Sequence, residues 1–183
     1  MGAATLRPPP RTDRPKYPRM KIEYLADRPE LVASLAAWHR REWGQFRPEE
    51  SVEMRADKLR GWSGRGEIPM VLVASDGDTL LGSAVLLACD MDSRKEWSPW
   101  LAGVVVGPEF RRRGIGAALA ARVVEEARAL GHAKLYLYTF STEGYYARLG
   151  WQFIERSRYL GAEVTVMSLD LQTNPPPRVS EKL

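Results

Sequence analysis

The stretch Val104-Val105-Val106-Gly107-Pro108-Glu109-Phe110-Arg111-Arg112-Arg113-Gly114-Ile115-Gly116 constrains this chain more than any other. Three β-branched residues run into a basic, glycine-bearing loop. The loop opens straight into a helix, because Ile115, Leu119, Val123, Ala127 and Leu130 recur at helical spacing and Gly131 stops them. The start of such a helix has unpaired backbone N–H groups and the positive end of the dipole. Glycines let an anion approach that backbone closely, and the arginines add charge. The segment is a phosphate cradle on physical grounds. Two familiar cradles fail at named positions. A nucleoside-triphosphate loop needs Lys and Ser or Thr after its last glycine, and Gly116 is followed by Ala117-Ala118. The dinucleotide fingerprint needs Gly or Ala where Leu119 stands, and an acidic residue on the next strand, where Lys134 to Tyr138 has none.

The rest of the pattern mixes strands and helices. Lys21 to Leu25 reads as a short strand. Asp27 and Glu30 have the spacing of a capping box, and Leu31, Leu35 and Trp38 carry a helix to about Trp43. Ser51 to Arg60 is a weaker helix. Met70 to Ala74 and Leu80 to Cys89 are strands joined through Ser75-Asp76-Gly77-Asp78, and Trp100 to Val106 is another. After the long helix come a strand at Lys134 to Tyr138, a short helix at Thr142 to Leu149, and strands at Trp151 to Glu155 and Glu163 to Leu171. The order β-α-α-β-β-β-α-β-α-β-β implies a mixed sheet flanked by helices, an α/β chain of the α+β type. Residues 1–19, with Pro8-Pro9-Pro10 among basic residues, read as a Pro-rich arm, and 173–183 as a tail. Residues 20–172 are then one domain, an ordinary size for 183 residues.

Charge and composition exclude several classes. The net charge of +4 belongs to the arm, where five Arg and Lys residues face Asp13 alone, so the domain is balanced. No folded basic face is indicated, and nucleic acid is not an expected partner. The longest apolar runs are far too short to span a bilayer, and no membrane partner is expected. Cys89 is single and the histidines are only His39 and His132, so no metal site is expected. A lone cysteine is compatible with a cytoplasmic location.

The Arg111-x-x-Gly114-x-Gly116 segment resembles the signature of the GNAT superfamily of acetyl-CoA-dependent N-acetyltransferases. A second segment, Gly144-Tyr145-Tyr146-Ala147-Arg148-Leu149-Gly150-Trp151, looks like that family's Phe-Tyr-x-x-x-Gly-Phe. The resemblance covers about residues 20–171. It implies a mostly antiparallel sheet with one splayed parallel strand pair and about four helices. The pantetheine arm of acetyl-CoA would enter between Leu101 to Val106 and Lys134 to Tyr138.

Backbone groups of Val104, Val105 and Val106 would meet that arm, and a backbone N–H near Val104 would polarise the thioester carbonyl. Arg111, Arg112, Arg113, Gly114, Ile115 and Gly116 would hold the pyrophosphate, and Ser141 would add a contact from the far strand. Tyr146 matches the family's general acid beside the sulfur. Asp92 and Asp90 rank first as bases, with Glu109 as a further carboxylate. The acceptor site would be built from Trp43 to Ser51 and Met91 to Trp100. These segments carry Trp43, Phe46, Trp97 and Trp100 beside Glu42, Glu49, Glu50 and Glu96, a setting suited to a small cationic primary amine. The expected assembly is a monomer or homodimer. A protein lysine or N-terminal acetyltransferase and a non-catalytic acyl-CoA-binding module are the competing readings, since fold alone does not fix function.

Overall fold

The computed structural model describes residues 19–172, so the arm and the tail lie outside the described residues except for Arg19. The strands are β1 (Lys21–Tyr24), β2 (Met70–Asp76), β3 (Thr79–Leu87), β4 (Trp100–Val106), β5 (Lys134–Thr139), β6 (Gln152–Tyr159) and β7 (Ala162–Asp170). The helices are α1 (Val32–Trp43), α2 (Val52–Gly61), α3 (Ile115–Ala129) and α4 (Glu143–Arg148). One sheet runs β1-β2-β3-β4-β5-β7-β6. Every pairing is antiparallel except β4 with β5. The expected α+β chain, with its mixed sheet and four helices, is what forms.

The period-2 alternation of the strands divides the core into two faces. On β2, Met70, Leu72 and Ala74 pack towards Leu119, Val123 and Ala127 of α3, whereas Val71 and Val73 pack towards Leu35, Ala36 and Leu59 of α1 and α2. Each fully buried aliphatic chain contributes about 1.5–3 kcal/mol, so these faces hold the helices far more firmly than their intrinsic propensity does. Strand β4 obeys the alternation only up to a point. Leu101 faces α3 and Ala102 faces α1, but Val105, three residues on, joins Ala102's side while Val104 and Val106 pack with Leu101's. The parity slips because β4 carries a bulge: Ala102 pairs with Val85 and Val105 with Ser83, so Gly103 and Val104 share one residue of the partner strand. Gly103 has φ +57, and a Cβ there would meet the Val85 side chain at 2.6 Å and His39 at 3.2 Å. Only glycine fits.

Several local expectations are corrected. Asp27 and Glu30 form no capping box. Asp27 accepts from Arg65 at 2.8 Å and Glu30 from Arg28 at 2.6 Å, because a guanidinium outcompetes a backbone amide for a carboxylate. Two 3-10 turns, Leu25–Asp27 and Pro29–Leu31, lead into α1 instead. The weaker helix expected over Ser51 to Arg60 forms as α2, and the Ser51 hydroxyl accepts from Met54 N at 3.1 Å and caps it. Strand β6 runs four residues beyond Glu155 to Tyr159. Arg156 and Arg158 disguise it as loop, yet β6 is an edge strand and can expose them.

Candidate active site

The single parallel pairing positions the site. β4 and β5 share only one pair of Cα partners, Trp100 with Tyr136, and Tyr136 N donates to Pro99 O at 3.0 Å. Beyond that rung the strands part. A cavity of about 530 Å³ opens between them, with Leu101 to Val104 on one wall and Tyr138 to Thr142 on the other. Over it passes the link from α1 to α2. Phe46 of that link stacks on Phe140 at the end of β5, with ring centroids 3.9 Å apart and planes 2° from parallel, and so roofs the cavity.

At the outer end of β4 the chain turns through Pro108–Phe110 into α3. Arg112 and Gly114 both have positive φ, 58° and 80°. Helix α3 begins at Ile115 with no side-chain cap, which leaves the first-turn amides open to an anion. Gly116 keeps the space clear: a Cβ there would stand 3.0 Å from the Tyr145 hydroxyl and 3.6 Å from Val106. Arg111 Nε donates to Val106 O at 3.1 Å, and Arg111, Arg112 and Arg113 are exposed around the loop. An open helix end, two left-handed residues and a glycine where a side chain would intrude fit a pyrophosphate.

A hydrogen-bond chain reaches the bulge from the other side. The Ser83 hydroxyl donates to Gly103 O at 2.9 Å and lies 3.0 Å from His39 Nε2. Because the hydroxyl proton is already given, His39 supplies its Nε2–H, and Nδ1 is left as a buried acceptor with no hydrogen-bond partner among the described residues. Burial pushes the His39 pKa down to about 3, so the ring is neutral. Its edge packs on Trp43, with centroids 5.0 Å apart.

Tyr146 of α4 lines the cavity, is 8% exposed, and makes no hydrogen bond through its hydroxyl among the described residues. Its ring is edge-packed by Tyr145 and Trp151. Burial pushes its pKa up, so it keeps its proton at neutral pH. Asp90 and Asp92 both line the cavity. Asp90 is partly buried, and burial raises its pKa to about 6 against the pull of Arg47 and Arg55. Asp92 is exposed at the start of a 3-10 turn. Ser141 is exposed at the cavity's edge.

The family model "Acetyltransferase (GNAT) family" matches residues 32–151. The chain belongs to the GNAT acetyltransferase family. Acetyl-CoA is the cofactor of that family, and the splayed strands and open α3 terminus of this GNAT chain fit it. Solved structures agree on the fold. The Salmonella typhimurium protein yncA, determined with acetyl-CoA, is 18% identical at a TM-score of 0.62, over 87% of this chain and 99% of that one. Aminoglycoside 6′-acetyltransferase type Ii is 20% identical at 0.66, over 85% and 99%. An aminoglycoside 6′-N-acetyltransferase complexed with coenzyme A is 18% identical at 0.65, over 85% and 99%. A comparison with curated proteins finds no match.

Some expected acceptor residues stand elsewhere. Trp97 and Trp100 do not line the cavity. They stack with Tyr136 in a separate aromatic core, and Trp100 is fully buried with its indole N–H donated to Trp97 O. Glu50 is buried behind the cavity wall, where it binds Arg55 and Lys58. Glu49, Glu96 and Glu109 are exposed and away from the lining. Trp43, Phe46 and Glu42 do line it. The sequence pattern does not single out His39, Ser83, Gly103, Arg47, Tyr138 or Tyr159 for this site. Of these, only Gly103, a glycine inside an apolar strand, carries a signal that pattern reading can use.

Proposed function

We propose that this GNAT chain is an N-acetyltransferase that moves the acetyl group of acetyl-CoA to the primary amine of a small molecule, by direct attack in a ternary complex. The observation that carries this reading is the cavity between β4 and β5, lined by Tyr146, whose hydroxyl has no hydrogen-bond partner among the described residues.

Acetyl-CoA, when bound, supplies an electrophilic thioester carbon and a thiolate leaving group. The amides of Gly114, Ile115 and Gly116 hold the pyrophosphate. The bulge at Gly103-Val104, pinned by Ser83 and His39, would offer a backbone N–H to the thioester carbonyl oxygen and favour the charge that develops there. Asp90, with a pKa of about 6, takes a proton from the acceptor ammonium directly or through water. Tyr146 would then give its proton to the departing sulfur as the nitrogen–carbon bond forms and the carbon–sulfur bond breaks, and would be reprotonated by the second proton that the nitrogen sheds on becoming an amide. Asp92, exposed and beside Asp90 in sequence, relays protons towards solvent.

The Phe46–Phe140 roof favours a small acceptor over a protein chain, which needs an open groove. Two neighbours of the same fold are aminoglycoside N-acetyltransferases, so amine acceptors are chemistry this fold accommodates. The test is free-thiol release from acetyl-CoA across aminoglycosides, polyamines, amino acids and peptides, with the product identified by mass. A small amine is expected to turn over and peptides are not. Coenzyme A binding with no turnover of any amine would leave a binding module and overturn the enzyme reading.

A further inference from the structure

The cavity lining mixes basic and acidic side chains, and only some of them are ion-paired. Arg47, Arg55 and Lys58 all line it. Two of the three are ion-paired from behind to one carboxylate. Glu50, 4% exposed, accepts from Arg55 Nε through Oε2 at 2.9 Å and from Lys58 through Oε1 at 2.6 Å. Glu42, which also lines the cavity, is drawn outward to Arg111 at 3.4 Å.

Arg47 is different. It is partly buried and has no carboxylate within ion-pair distance among the described residues. Tyr159, which also lines the cavity, donates from its hydroxyl to the main-chain carbonyl of Asp90 at 3.3 Å. The Asp90 carboxylate likewise forms no ion pair among the described residues, although it feels the field of Arg47 and Arg55. The cavity lining thus holds a guanidinium and a carboxylate, each lacking an ion-pair partner among the described residues. A partly desolvated charge without a counterion is costly, and the cost is recovered only when a ligand supplies the opposite charge.

Resting on the N-acetyltransferase reading, we infer that the acceptor is a zwitterion, an amino acid whose carboxylate is received by Arg47 while its amine is presented to Asp90. A guanidinium takes a carboxylate through two parallel N–H···O bonds, which fixes the orientation of the carbon that bears both groups. The amine then faces Asp90 and the bulge of β4. Phe46, Phe140 and Tyr138 form an aromatic wall beside it, with room for an apolar or aromatic side chain. A polyamine or aminoglycoside meets Arg47 as a like charge. A simple amine leaves Arg47 desolvated and unpaired.

The experiment compares each of the common amino acids with its decarboxylated amine and its carboxamide, by thiol release, in the wild type, Arg47→Gln and Arg47→Lys. Losing a charged bidentate bond costs roughly 10–100-fold in kcat/KM. At least one amino acid is expected to exceed its decarboxylated and amide forms by that factor. The preference is expected to collapse towards one in Arg47→Gln and to recover in part in Arg47→Lys. The melting shift produced by coenzyme A, measured on the same preparations, reports that each variant is folded and binds the donor. Decarboxylated amines or polyamines turned over as well as the acids, or a preference unchanged in a folded Arg47→Gln, would overturn the zwitterion assignment and leave N-acetyl transfer standing. No turnover of any amine by a wild type that binds coenzyme A would remove both.

Discussion

At the loop from Arg111 to Gly116 the chain presents its backbone, whereas at Arg47, Asp90 and Tyr159 it presents side chains. The first end is made of helix amides, two left-handed residues and a glycine at van der Waals limits. Everything in it lies within six consecutive positions. The second end gathers one residue from the α1–α2 link, one from the loop after β3 and one from the end of β6. A site for a constant group, pyrophosphate, can be written into local backbone geometry. A site that selects one acceptor among many needs side chains that only the finished fold brings together.

The largest effect should come where the two ends meet, at the sulfur. Tyr146→Phe keeps the ring between Tyr145 and Trp151 but removes the proton. We expect kcat to fall by about 10²–10⁴-fold with coenzyme A affinity almost unchanged, the mark of an interaction made in the transition state. If Tyr146 serves only packing, kcat in the folded fraction stays near the wild-type value, and steady-state kinetics beside a melting curve distinguish the two.

Next in size is Gly116→Glu. It puts a side chain and a negative charge over the open turn of α3, in space now bounded by Tyr145 and Val106. A ligand at a hundred times its Kd stabilises the native state by about 2.7 kcal/mol, and this variant should lose that entire gain. Melting scans with and without coenzyme A read it. A normal shift in a folded variant would move the pyrophosphate site elsewhere.

The same contrast explains what was legible in the sequence. The order of all eleven strands and helices could be read, because hydrophobic periods of 2 and 3.6 survive in a single chain. The uncapped start of α3 could be read because Gly114 and Gly116 have local reasons to be glycine. The bulge has one sign, Gly103 inside the strand, but the residues around it are apolar on both faces, so the slip in register shows only in the fold. Trp97 and Trp100 sit beside the acidic residues in sequence and look like acceptor walls, but their strand turns them into the aromatic core. Arg47 gives no signal, because a lone arginine in a helical link reads as solvated charge. Only the location of Glu50 shows that Arg55 and Lys58 are paired and Arg47 is not.

A smaller effect tests the bulge, where backbone and side-chain design join. Ser83 is a positioning residue: it touches no ligand site itself and holds Gly103 O in place. Ser83→Ala removes that bond and strands the His39 Nε2–H, at a cost of about 1–3 kcal/mol in stability. We expect kcat to drop roughly tenfold as well, with KM and coenzyme A affinity little changed, since one misaimed N–H is worth about one hydrogen bond. A loss of stability with normal kcat in the folded fraction would limit the His39–Ser83 pair to structure.

The smallest expected effect is thermodynamic and concerns Asp90. Its carboxyl is raised from 3.8 to about 6 by burial. In the unfolded chain it titrates near its ordinary value, so between about pH 4 and 6 the folded state holds the proton more tightly than the unfolded state does. Stability from this group is therefore present at pH 4, is lost as pH rises through 6, and is flat above. A rise of that size corresponds to at most about 3 kcal/mol, and partial solvation brings the expected figure to about 1–2 kcal/mol. Asp90→Asn has no charge to expose, so relative to the wild type it should gain that amount between pH 4 and pH 8. Denaturant unfolding of both proteins at pH 4, 5, 6 and 8 isolates the difference, because every other carboxylate is common to both. The same ionisation should make wild-type kcat/KM climb as pH passes 6, since only the charged form accepts a proton. A stability difference that does not vary with pH would mean that Asp90 is an ordinary solvated carboxylate. The counterion-poor pocket around Arg47 would then lose its second charge, and with it the contrast between a backbone end that is satisfied by any pyrophosphate and a side-chain end that waits for one kind of acceptor.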